Sequence, residues 1–296
     1  MKYFVSFLLL TFSFSAFSQI EVTSERDDKG EVTLNYVNSS EMTYTVLLEF
    51  PVLLNLSTTG GSRVIAIANP GKGRLTTLKP LQSNQRTNYS YKYTFVKGNI
   101  YGKTKVEPIY LVPVKEGTTV RSVPMTHLEN RLQPKEHNDE YVGISFHFDE
   151  EVEIVAPRKG IVAGLSMSND KSSENLDFTR SENFIEIYHE DGKVTKIMVL
   201  KSGSQQVQLG QEVFPGDVLA TSAGDNYQGG KHVRMAVMEV VKNEEGLIKN
   251  KIIPVNFAIN GESVLLENYG PFEVIFPEEV ITREMTKKEL KNYGKE

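Results

Sequence analysis

The chain has 296 residues, enough for two domains that each bury a core of their own. Its formal net charge of -5 argues against nucleic acid or anionic membrane as a primary partner, because both select basic surfaces. There is no cysteine, which excludes a disulfide framework and a lipid-bearing cysteine anchor, so the fold must rest on packed cores.

Residues 1–18 begin with Met1-Lys2-Tyr3, continue as an apolar run and end in Ala16-Phe17-Ser18. That is the shape of a secretory signal peptide, with cleavage before Gln19. The run is shorter than the roughly 18 residues that a membrane span needs, so no stable membrane anchor is expected. The mature protein is expected in the periplasm or outside the cell.

Residues 19–125 read as successive short strands at 31–37, 44–50, 63–68, 88–95 and 110–114, rich in β-branched and aromatic residues. Turn residues separate them at 58–61, 69–73 and 96–99. This spacing predicts an antiparallel, immunoglobulin-like sandwich. Tyr89, Tyr91 and Tyr93 recur at period two and so share one strand face. They could stack on glycan rings or a partner peptide, but ordinary half-buried sheet packing is the preferred role. No catalytic constellation occurs in this half.

Residues 126–140 are polar, contain Pro134 and follow neither strand nor helix periodicity, so they are assigned as a linker. A second domain spans 141–276, with a polar insertion at 166–182 that should loop out at the surface. Closing strands are expected at 252–257 and 261–266. In the tail, 277–296, Thr286 and Glu289 have the spacing of a capping box, consistent with a short C-terminal helix or a frayed end.

Three motifs organise the second domain. Residues 184–192 form an apolar strand that closes on Asp191-Gly192; residues 207–220 carry three short apolar runs divided by Gly210 and Gly216; and the Gly-rich stretch 223–231 delivers His232 into the apolar run 233–240. Upstream, residues 151–162 read as strand, Pro157 turn, Gly160 and second strand. Together, residues 141–260 resemble the β-sheet core of the lysostaphin-type (LytM-like) zinc endopeptidases of peptidoglycan. The resemblance implies an all-β architecture in both halves: the sandwich, then a lysostaphin-type sheet.

The family takes its zinc ligands from a His-x-Gly-x-Asp motif and from the second His of His-x-His. In the matching stretches of this chain Tyr141 stands in the place of the first His, Ser145 in that of the Asp, and Arg234 in that of the last His. Of the two assisting His residues, one place holds Val199 and the other keeps His232. A guanidinium has no lone pair to donate and stays charged, so it cannot ligate zinc. The resemblance therefore implies a retained frame without the metal site: Tyr141, Ser145, Val199, His232 and Arg234 lining a shallow ligand cleft, and no cofactor.

The implied role is recognition of a peptidoglycan stem peptide or of a partner such as a cell-wall hydrolase. The rival is an active endopeptidase whose zinc is held by His232 together with His137 and Asp139 of the linker. The five histidines, His127, His137, His147, His189 and His232, form no tight pair in sequence. His189 is expected near the surface, at a strand end.

Overall fold

The computed structural model describes residues 19–126 except 84, 141–170, and 182–293 except 226, 228 and 268. The stretch expected to be a signal peptide, nearly all of the expected linker with His127, His137 and Asp139, and most of the expected insertion lie outside the described residues.

Seven strands build the first unit: β1 (Ile20–Arg26), β2 (Val32–Asn38), β3 (Tyr44–Leu54), β4 (Leu56–Ser57), β5 (Arg63–Ala68), β6 (Gly71–Pro80) and β7 (Asn88–Lys97). They form two sheets, ordered β1-β2-β6-β4 and β5-β3-β7, with every pairing antiparallel. The expected sandwich is present. β2 shows its cause: Val32, Leu34 and Tyr36 point into the core while Thr33, Asn35 and Val37 alternate away from it. The facing sheet supplies Tyr44, Val46, Leu48 and Phe50.

The expected turn at 69–73 is corrected: Gly71 and Gly73 already belong to β6. The ring of Tyr36 packs so closely that a Cβ on Gly73 would meet its hydroxyl at 2.7 Å. Gly73 thus admits the Tyr36 ring, whereas Gly71, with open space around a Cβ, takes a φ of +93° where the chain turns into β6.

Tyr89, Tyr91 and Tyr93 are half-buried and tie β7 to β1 across the end of the sandwich. Their hydroxyls donate to Ser24 Oγ at 3.0 Å, Val22 O at 3.3 Å and Ile20 O at 3.3 Å. This is the packing role, with each phenol also finding a polar partner.

The second unit comprises β8 (Thr119–Thr126), β9 (Tyr141–His147), β10 (Glu153–Val155), β11 (Gly160–Ser166), β12 (Phe184–Tyr188), β13 (Val194–Met198), β14 (Glu212–Val213), β15 (Val218–Thr221), β16 (His232–Lys242), β17 (Ile248–Ile253), β18 (Asn256–Ile259), β19 (Glu262–Leu265) and β20 (Tyr269–Glu273). Its main sheet runs β14-β11-β12-β13-β16-β9-β8-β20, with β17 also paired to β16. Two short helices follow, α1 (Glu278–Ile281) and α2 (Lys287–Tyr293). Among the described residues the structure is all-β apart from these helices.

One expected boundary moves. Residues 110–125 read as the end of the sandwich, but β8 pairs with β9 and β20, and Tyr110 and Val114 bridge to Phe257 and Ile154. The run 110–114 forms no continuous strand. Pro113 lacks an amide proton, and Tyr110, Leu111, Val112 and Val114 are all buried instead of alternating.

The expected closing strand at 252–257 is likewise divided by Pro254 between β17 and β18. The capping box is formed: Thr286 N donates to Glu289 Oε2 at 2.6 Å, and Glu289 N donates to Thr286 Oγ1 at 3.3 Å.

The two units interlock. Lys97 donates to both oxygens of the buried Glu186 carboxylate at 2.7 and 2.6 Å, and Asn99 N donates to Gly192 O at 3.0 Å. A Cβ on Gly102 would lie 2.3 Å from Asp191 O, so the backbones meet with no room for a side chain.

Candidate functional site

β16 and β9 position the site through simple alternation. On β16, Val233, Met235 and Val237 enter the main core, which turns His232 and Arg234 to the opposite face. On β9, Ile144 and Phe146 enter the same core and turn Ser145 and His147 outward with them. The strands are antiparallel, with His232 opposite His147 and Arg234 opposite Ser145. On the other flank of β16, Arg234 stands opposite Met198 of β13.

Two further residues complete the cluster. Glu182 precedes β12, and Tyr227 comes from the Gly-rich stretch before β16. Arg234 Nη1 donates to Glu182 Oε1 at 2.8 Å, and Tyr227 OH donates to the same oxygen at 3.0 Å. The Arg234 guanidinium lies over the Tyr227 ring, 5.2 Å from its centroid. Burial, followed by the Glu182 charge, raises the Tyr227 phenol above its ordinary range, so it stays a donor.

His147 and His232 stack at 5.1 Å with an interplanar angle of 17°. Nδ1 of His147 is 3.2 Å from Gly229 O, and Nδ1 of His232 is 2.7 Å from Gly230 O. A carbonyl only accepts, so each Nδ1 carries a proton. Burial holds both rings below the usual imidazole range, His232 at about 4, and the Arg234 charge pushes the same way. Both are therefore neutral near pH 7, and both Nε2 atoms are lone-pair acceptors. Ser145 Oγ lies 3.0 Å from His147 Nε2 and 3.1 Å from Val123 O. His232 Nε2 is buried with no partner among the described residues.

Of the five residues singled out in the sequence, strand pairing thus groups Ser145, His232 and Arg234. Val199 follows β13 and lines an adjoining cavity of about 220 Å³ with Glu182, Asn183, Lys201, Asp225 and Tyr227. It is a β-branched residue at φ +67°, a strained conformation outside glycine, and its carbonyl accepts from Ala223 N at 3.1 Å. Tyr141 opens β9 opposite Thr126, and burial raises its phenol to about 12.

Sequence reasoning missed His147, Glu182 and Tyr227. A signal for His147 existed: it stands two residues after Ser145 in an alternating strand and so shares its face. Nothing local marks Glu182, which reaches Arg234 from 52 residues away. The expected surface position of His189 is corrected. The ring is fully buried, with Nδ1 donating to Lys159 O and Nε2 accepting from Thr195 Oγ1, each at 2.7 Å.

Zinc does not fit the donor set. The positions where the resemblance expects ligands carry a phenol held protonated, a serine hydroxyl and a cationic guanidinium, and among the described residues no three His, Cys, Asp or Glu side chains converge.

No family profile matches the chain, and no curated protein matches it. Similar solved structures include a SpoIIQ-SpoIIIAH pore-forming complex (18% identity, 49% of this chain and 89% of that chain, TM-score 0.31). Others are Csd3 of Helicobacter pylori (9% identity, 93% and 82%, TM-score 0.33) and a zinc-containing peptidase of Vibrio cholerae (11% identity, 79% and 83%, TM-score 0.27). Likenesses at these scores carry nothing about activity or partners. The chain is similar to LytM-like, M23-type peptidase structures.

Proposed function

We propose that this is an exported recognition protein whose LytM-like unit binds a peptidoglycan stem peptide, or a partner such as a cell-wall hydrolase, without zinc chemistry. The observation that supports this reading most directly is the Arg234–Glu182 pair. A fixed cation and its counter-ion stand where the resemblance would place the last metal ligand. An Arg234 guanidinium facing a ligand carboxylate unaided is a poorer description, because Glu182 already takes one arm of the fork. The recognition surface is instead the adjoining cavity, where carboxylate, amide and ammonium groups from Glu182, Asn183, Asp225 and Lys201 suit the backbone and termini of a short peptide.

The decisive experiment is zinc content by atomic emission together with muropeptide release from purified cell wall, on the mature protein. The expected result is no stoichiometric zinc and no release. Stoichiometric zinc, with release abolished by His232→Ala, would overturn the reading in favour of the rival endopeptidase.

A further inference from the structure

We propose that Ser145 and His147 form a nucleophile and base pair for acyl transfer, acting on a small carboxylic ester. This goes beyond the recognition role and does not depend on it.

Three observations carry the proposal. First, Ser145 Oγ is 3.0 Å from His147 Nε2, within the reach that proton abstraction requires. Second, the base is already in the correct tautomer. Gly229 O fixes the proton on Nδ1, so Nε2 presents its lone pair to the serine, with a backbone carbonyl acting as the orienting group.

The serine hydroxyl has one proton and two acceptors in reach, His147 Nε2 and Val123 O at 3.1 Å. Rotation of that one proton switches the hydroxyl from a structural donor to an activated nucleophile. Third, Arg234 stands directly opposite Ser145 in the β9–β16 ladder. Its side chain leaves β16 on the face that carries Ser145 and His147, and its charge, partly offset by the Glu182 carboxylate, would favour negative charge on an attacked carbonyl oxygen there.

The substrate class follows from the same features. Ser145 is only 5% exposed, so the acyl group must be small. The orienting group is a neutral carbonyl rather than a carboxylate, so it stabilises the forming imidazolium less, and an alcohol is a more suitable leaving group than an amine. In the step, the Oγ–C bond forms while the Oγ proton moves to Nε2. The C–O bond to the alcohol then breaks as Nε2 returns that proton to the leaving oxygen. Water, deprotonated by Nε2, releases the acid and restores the serine.

The test uses methanesulfonyl fluoride, whose small sulfonyl group suits a nearly buried serine, on the intact folded protein. An Oγ–S bond forms, the S–F bond breaks, and proton and fluoride leave together. The expected result is a single adduct mapped to the Ser145 peptide by mass spectrometry, absent in Ser145→Ala and absent when wild type is first unfolded in urea. Labelling of His147→Gln and His147→Ala should be at least about 100-fold slower, the loss expected when a general base is removed. Thermal melts would verify that both variants fold. Folded wild type left unmodified at Ser145 overturns the proposal, as does equal labelling in folded and unfolded protein or in both His147 variants.

Discussion

The fully buried guanidinium of Arg158 is gripped by Glu284 in a two-pronged pair, Nε to Oε2 and Nη2 to Oε1, each at 2.7 Å. Its Nη1 is held by Asp191 at 3.0 Å and by Tyr110 OH at 3.1 Å. Glu284 lies between α1 and α2, so this pair, together with Lys159–Glu289, fastens the C-terminal segment to the second unit. Glu284→Gln removes one charge and leaves another buried, which should cost about 3 kcal/mol, moderated by the remaining Asp191. Urea denaturation would measure the loss, and limited proteolysis should show cleavage near α2 appearing first.

Placing the family's three zinc ligands at the positions where the resemblance expects them tests that register. Ser145 and Arg234 face each other across β9 and β16, so an Asp and a His placed there would converge. The variant Tyr141→His, Ser145→Asp, Arg234→His should take up zinc near one ion per chain by atomic emission. Arg234→His alone should not, because one imidazole beside a protonated phenol and a serine hydroxyl falls short of a tetrahedral site.

Acid should destabilise the fold through His232. Its folded pKa of about 4 lies below the unfolded value near 6.5, so the unfolded chain binds the proton more readily. Stability is therefore complete above pH 6.5 and falls as pH drops toward 4, by about 3 kcal/mol at most from this group. Burial of His189, whose pKa is also depressed, acts in the same direction. Melting temperature against pH should show a steeper acid limb in wild type than in His232→Gln.

The tyrosine ladder predicts a small, additive effect. Tyr91→Phe and Tyr93→Phe each delete one hydroxyl bonded to a β1 carbonyl without changing ring packing, so each should cost about 1 kcal/mol. Guanidinium titration of both single variants and the double would measure it, and a double effect far above the sum would show that β1 detaches as a unit.

The fold was legible where a local pattern decides it. Alternation marked β2, a short apolar run marked β5, the Asp191-Gly192 turn marked the hairpin of β12 and β13, and Thr286 with Glu289 marked the start of α2. It was not legible where distant contacts decide. Gly73 reads as a turn residue because nothing nearby announces the Tyr36 ring, and residues 110–114 read as a strand because their burial on all sides depends on elements 40 to 150 positions away. The site divides the same way: the spacing of His232 and Arg234 is local, whereas the Glu182 partner and the stack of His147 on His232 exist only once β9 and β16 are paired.

Because β8 pairs within the main sheet while Lys97, Asn99 and Gly102 lock the sandwich against 186–192, the described residues of the two units are interlocked. Cutting at the polar stretch that looks like a hinge would leave β9 without its neighbour and strand Tyr110 away from Phe257. The whole molecule is thus expected to melt in a single calorimetric transition whose enthalpy scales with the full length. A ligand gripped at the Glu182 cavity would then raise the melting point of the sandwich by as much as that of the sheet that holds it.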